Sequence, residues 1–230
     1  MSPFELALVL LFLIVFSVFS YKKRLLDFEG VLIANAVGLA AITYAPNPLL
    51  CFAIVVVFFV LGEIASNYPR KKHEQRNIWN VVGNSLPALI ILSMIVVFPE
   101  FALELQLGFF AAISAALADT LSSEVGYYSK KRPIMITTFK KVPRGIDGAV
   151  SLLGEFGALV GAAVIAAIYF LAFRDIFFSV LILLAGMVGT NADSVAGALF
   201  EKKGMLNNTH VNMIGSASGA VFALILALLL

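Results

Sequence analysis

Eight apolar stretches run through this chain, near residues 3–20, 28–45, 49–65, 81–98, 105–123, 149–172, 176–199 and 211–229. A helix needs roughly 20 apolar residues to cross the hydrocarbon core of a bilayer, so each stretch reads as a transmembrane helix. Composition agrees, with 61% hydrophobic residues, a mean hydropathy of +0.99 and only 13% charged residues, against about 25% in soluble domains. The expected fold is all-α: a polytopic integral membrane protein of eight transmembrane helices, one helical domain over residues 1–230. The first stretch lacks a basic leading region and runs into Lys22-Lys23-Arg24 rather than a cleavage site, so it reads as a span and not a signal peptide.

Eight spans put the loops at 21–27, 66–80, 124–148 and 200–210 on one side, where they hold 15 of the 16 Lys and Arg residues; only Arg174 falls opposite. By the positive-inside rule those loops are cytoplasmic and both termini lie outside, with the cell membrane as the expected location. A missed helix would scramble this bias. The net charge of +2 is accounted for by topology and makes no case for nucleic acid as a partner. Cys51, the single cysteine, rules out an intramolecular disulfide and reads as packed or lipid-facing.

Pro46-Asn47-Pro48 predicts a tight external turn, and Pro87 predicts a kink in the fourth span. The long loops, 66–80 and 124–148, are both on the basic side, which places chemistry at the cytoplasmic face. The C-terminal half suggests a weak parallel repeat: Ala118-Asp119-Thr120 closes span five as Ala192-Asp193-Ser194 comes late in span seven, and Val150-Ser151 opens span six as Val211-Asn212 opens span eight. Gly157 and Gly161, and Gly215 and Gly219, are small-xxx-small pairs of the kind that let helices approach closely.

Acidic residues inside an apolar chain need a cation, a proton or a polar ligand, because lipid does not solvate them. Asp119, Glu124 and Asp193 are therefore the candidate catalytic and metal-binding residues. Glu124 lies five positions after Asp119, about 140° around a helix, and joins it only if the helix ends between them. Asn191 and Ser194 flank Asp193; Asp147 sits in a Gly-Ile-Asp-Gly turn, where turn chemistry is the plainer reading; Glu155 reads equally as site or interface. Carboxylates converging at a membrane surface suit Mg²⁺, which takes one or two of them plus substrate phosphates. Lys140, Lys141 and Arg144 are the nearest cations for phosphate, although every loop on that side is basic. Arg76, Asn80 and Asn84, at i, i+4 and i+8, share one helical stripe and donate either to phosphate or across helices. Asn207 and Asn208 read as caps or turn residues, and Asn212 as pointing into the cleft; His73 and His210 form no metal pattern. No Walker or kinase-type glycine loop is present, so a nucleotide is held some other way.

Taken in order, RNIWNVVGNSLP (Arg76–Pro87), ADTLSSEVG (Ala118–Gly126), the segment Pro133–Gly154 with TTFKKVPRGIDGAVSLLG, GTNADSVAGA (Gly189–Ala198) and Val211-Asn212 resemble the membrane family of transmembrane protein 19 and plant phytyl-phosphate kinase. The resemblance implies a kinase that converts a polyprenyl monophosphate, phytyl or geranylgeranyl, to its diphosphate with CTP or another nucleoside triphosphate. It places Asp119, Glu124 and Asp193 in the family's acidic motifs and Lys141–Gly148 in the loop between them. The partners it implies are an isoprenoid phosphate lipid, a nucleotide and the bilayer, and it leaves a homo-oligomer open. Around Asn80 and Asn84 the chain departs from many relatives, with Asn84-Ser85 where Asn-Gly is common. The rival readings are an ion or lipid-phosphate transporter, favoured by the repeat and the intramembrane acids, and another lipid phosphotransferase such as a polyprenol kinase.

Overall fold

The computed structural model describes residues 2–66 and 77–229, without the side chain of Lys202. Arg76 and His73 lie outside the described residues. Its α-helices are α1 (Pro3–Lys22), α2 (Phe28–Tyr44), α3 (Pro48–Ser66), α4 (Ile78–Val97), α5 (Ala102–Gly126), α6 (Leu152–Phe173), α7 (Ile176–Leu199) and α8 (Asn208–Leu228). Seven are long and apolar enough to cross a membrane, and α2 is the short one at 17 residues. Each of the eight predicted spans is thus a helix. The starts differ where capping was not read: Asn77 caps α4 through a reciprocal bond with Asn80, and Asn207 caps α8, so both begin three residues earlier. Residues 149–150 are strand instead of helix, and Ser151 caps α6.

Helix α5 is the axis. Every residue from Leu105 to Ala118 is buried, as expected for a helix apolar or small on all faces. Helices α3, α4, α8, α7 and α6 surround it, α2 covers α3 and α4, and α1 leans on α2. The one large polar side chain in α5's buried stretch, Gln106, accepts from the backbone N–H of Asn47 at 2.9 Å, which ties the Pro46-Asn47-Pro48 turn to the start of α5. At the other end of α2, Gly30 faces Val81 in the first turn of α4. Short α2 therefore runs the full way between the two faces. All eight helices alternate in direction, and the outer ends of α1 and α8 share the face opposite the site described below.

Between α5 and α6 the chain makes a two-strand antiparallel ribbon, β1 (Ile134–Met135) and β2 (Ala149–Val150), with Met135 opposite Ala149.

Candidate functional site

Glycine sets the spacing at one end of the bundle. A Cβ on Gly157 of α6 would lie 2.6 Å from the carbonyl oxygen of Leu121, and one on Gly161 would lie 2.9 Å from Cα of Ala118. On α8, a Cβ on Gly215 would lie 2.9 Å from Cβ of Asp193, and one on Gly219 would lie 2.8 Å from the carbonyl oxygen of Ala185. Only residues without side chains permit these approaches. The C-terminal ends of α5 and α7 and the N-terminal ends of α6 and α8 consequently meet around a polar pocket of about 270 Å³.

Asp119 of α5 and Asp193 of α7 both line this pocket, with their carboxyl groups close enough to feel each other's charge. Thr190 lies three residues before Asp193 on the same face of α7 and donates to Asp119 Oδ1 at 3.3 Å. With its amide turned to donate, Asn212 Nδ2 reaches Asp193 Oδ2 and the Asn208 carbonyl, both at 3.2 Å. Two carboxylates from parallel helices are thus held side by side by a hydroxyl and an amide.

The loop between α5 and α6 forms the rest of the wall. Gly148, at φ 76°, presses on α7: a Cβ there would lie 2.6 Å from both the amide nitrogen of Ala198 and the carbonyl oxygen of Ser194. That contact brings Arg144 and Asp147 to the pocket. Glu201, in the short 3-10 turn after α7, completes the acidic rim; partial burial and then the Asp147 charge raise its pKa. Among the described residues the lining carries four carboxylates (Asp119, Asp147, Asp193 and Glu201) and one cation, Arg144. Such a pocket repels a bare polyphosphate and attracts a divalent cation or a phosphate already carrying one.

Other expected site residues lie elsewhere. Glu124 is turned away from the pair, as its 140° offset requires when α5 continues unbroken to Gly126, and its Oε1 accepts from Ser66 of α3 at 3.3 Å. Lys140 and Lys141 are exposed and do not line the pocket, their backbones being engaged with Met135 and Ile134. Asn191 faces α6, donating to the Met187 carbonyl at 2.9 Å and Glu155 Oε2 at 3.4 Å. Asn80 and Asn84 line a second, apolar cavity on the other side of α4. Ser194 does line the polar pocket. Glu124→Gln is accordingly expected to change turnover by less than about tenfold, well short of the 10²–10³ that loss of a group stabilising transition-state charge produces; steady-state kinetics of the purified variant check this.

The expected trio of metal ligands does not form: among the described residues no three Asp, Glu, His or Cys side chains gather as a ligand set. The Asp119–Asp193 pair alone still matches Mg²⁺, which takes one or two carboxylates and fills its other positions with phosphate and water. The sequence reading missed Glu201 and the lining hydroxyls of Ser122, Ser123 and Ser151. Glu201 stands beside Lys202-Lys203 and reads as loop charge, whereas Ser151 carried a usable signal as a cap before an apolar run.

Residues 11–220 match the family described as integral membrane protein DUF92. An uncharacterised membrane protein of Methanocaldococcus jannaschii is 34% identical over 212 residues, covering 89% of this chain and 87% of its own length. One from Synechocystis is 33% identical over 189 residues, 75% of this chain and 72% of that protein. The chloroplastic protein VTE6 of Arabidopsis thaliana is 30% identical over 217 residues, 84% of this chain and 63% of that protein. No solved structure matches the chain.

Proposed function

This chain belongs to the integral membrane protein family DUF92, and on that footing we propose that it is a Mg²⁺-dependent phosphotransferase. It converts a polyprenyl monophosphate, phytyl or geranylgeranyl, to the diphosphate with CTP or another nucleoside triphosphate, at the cytoplasmic face of the membrane. The observation that carries this reading is the Asp119–Asp193 pair, set side by side on the wall of a polar pocket where four helices end. The resemblance of the same acidic motifs to those of plant phytyl-phosphate kinase supports it.

In this reading Asp119 and Asp193 hold the metal, and Thr190 and Asn212 keep the two carboxyls aimed. The ion supplies charge neutralisation on the triphosphate when bound. Arg144 takes up charge on the oxygens of the transferring phosphoryl group, and the N-terminal ends of α6 and α8, at Ser151 and Asn208, present backbone N–H groups to phosphate. An oxygen of the acceptor monophosphate bonds to the γ-phosphorus, the bond to the bridging oxygen breaks, and the nucleoside diphosphate leaves. The acceptor oxygen is already ionised, so alignment and charge neutralisation suffice without a base. A prenol acceptor would instead call on Asp119 or Asp193 as general base.

Purified protein incubated with Mg²⁺, labelled CTP or ATP, and geranylgeranyl or phytyl monophosphate is expected to yield the diphosphate. Folded protein that makes no product from either acceptor with either nucleotide would refute the reading. Flux of solute through protein in liposomes without nucleotide would favour a transporter. Arg144→Ala is expected to raise the KM for nucleotide about tenfold, the loss of one charge-assisted phosphate contact. Lys141→Ala is expected to leave it within about twofold, as for an exposed cation. Paired kinetics of the two variants separate the pocket cation from loop charge.

A further inference from the structure

The second cavity, about 290 Å³, lies between α1, α2, α3 and α4. Of its twenty lining residues only Asn80, Asn84 and Ser85 are polar, and all three stand on the first two turns of α4. Its body is hydrocarbon and aromatic, with Phe12 and Phe16 of α1 facing Phe52 and Phe59 of α3. An apolar space of this kind excludes water and takes apolar ligands.

The polar end has unused hydrogen-bonding groups. Asn80 Oδ1 accepts from the Asn77 backbone at 3.0 Å, while its Nδ2 donates to nothing among the described residues. Asn84 is 8% exposed; its Nδ2 donates to the Asn80 carbonyl at 2.9 Å and its Oδ1 accepts nothing among the described residues. This end lies on the face of the carboxylate pocket. Gly83, between the two asparagines, packs on Thr209 and Asn212 of α8, and Asn212 reaches Asp193. The two sites are thus opposite sides of one α4–α8 seam.

Shape narrows the occupant. The lining runs from Phe12 to Phe19 on α1 and from Phe52 to Val60 on α3, a depth of about 12 Å at the helical rise. The lining is apolar along its length with its polar groups gathered at one end, which suits an amphiphile whose headgroup sits at that end. The outer wall is thin. Helix α1 buries only Val9, Leu13 and Ser20, and covers the cavity through the edge-to-face pairs Phe12–Phe52 and Phe16–Phe59, with centroids 5.6 and 4.8 Å apart.

We infer that this cavity holds the headgroup-proximal isoprene units of a single-chain isoprenoid monophosphate, admitted from the bilayer past α1, with its phosphate leaving past Asn80 and Asn84 toward the carboxylate pocket. Naming the lipid an isoprenoid monophosphate rests on the phosphotransferase reading; the placing of a single chain here does not. The test uses the full chain in detergent and geranyl monophosphate carrying a small diazirine at its tail. Photolabel is expected on residues 12–19 and 52–60, and excess geranylgeranyl monophosphate is expected to remove it where phosphatidylglycerol does not. Ala34→Phe, which fills the cavity from α2, is expected to cut labelling at least tenfold while binding of Mg²⁺ and a fluorescent CTP analogue stays unchanged. Val60→Phe, on the exposed rim of α3, gives the same reading should the first variant not fold. Label elsewhere on the bundle, equal competition by phosphatidylglycerol, or full labelling in a cavity-filled variant that still binds nucleotide would overturn the inference. Labelling as expected in protein that forms no diphosphate would refute phosphotransfer and leave the chain site standing. Diphosphate formation unaffected by both cavity-filling variants would do the reverse.

Discussion

Asp119→Asn and Asp193→Asn are each expected to lower diphosphate formation by at least 10²–10³-fold, the order seen when a group stabilising transition-state charge is removed. Each substitution keeps the size of the side chain and its hydrogen-bonding reach, so Thr190 and Asn212 retain a partner. What disappears is one of the two negative charges that attract the cation. Because the two carboxyls lie close together, neutralising one also removes a like-charge repulsion. The melting temperature of either variant is therefore expected to equal or exceed that of the parent. Activity and melting temperature falling together would assign the pair a structural role. Normal turnover in one variant would take that carboxylate out of the mechanism.

Gly148→Ala is expected to have the next largest effect, for a different reason. At φ 76° an alanine costs about 1–2 kcal/mol in the left-handed region. Its Cβ would also lie within 2.6 Å of the backbone of Ser194 and Ala198, and such overpacking adds about 1–3 kcal/mol. Both costs are relieved if the loop lifts off α7. The bundle itself stays assembled, because its core around α5 is not touched. Lifting carries Arg144 and Asp147 away from Asp193, so a loss of about 10²-fold in kcat/KM is expected from misplaced positioning groups. Gly145 is the control: its φ of 78° carries the same backbone cost, but no atom of the described residues lies within 4 Å of a Cβ there. Gly145→Ala is expected to retain most activity. Equal losses in the two variants would mean that backbone strain, and not contact with α7, is responsible.

Much of this protein was legible before any coordinates. The eight helices follow from hydropathy, seven of them long and apolar enough to cross a membrane, since bilayer thickness fixes helix length. The alternation of the eight helices agrees with the span count that the Lys and Arg asymmetry supported. Asp119 and Asp193 stood out because a carboxylate in an apolar run has no solvent to satisfy it. The small residues of α6 and α8 announced close packing, and the packing is what brings those two acids together.

Other features depended on which way each helix is turned. Glu124, conditional on α5 ending early, and Asn191, beside Asp193, were also site candidates in the sequence, yet they face Ser66 and Glu155. Lys140 and Lys141 sit in the same loop as Arg144, and of the three only Arg144 reaches the pocket, because the contact of Gly148 with α7 holds that part of the loop there while the backbones of Lys140 and Lys141 pair with Met135 and Ile134. Glu201 was invisible among loop charges until the turn after α7 carried it to the rim. The apolar cavity was hidden altogether, since phenylalanines that line a space and phenylalanines that face lipid have the same hydropathy. Burial from water is a property of each residue's chemistry and is written along the chain. Convergence on a common site is a property of rotation and contact between helices, and only the tertiary structure decides it.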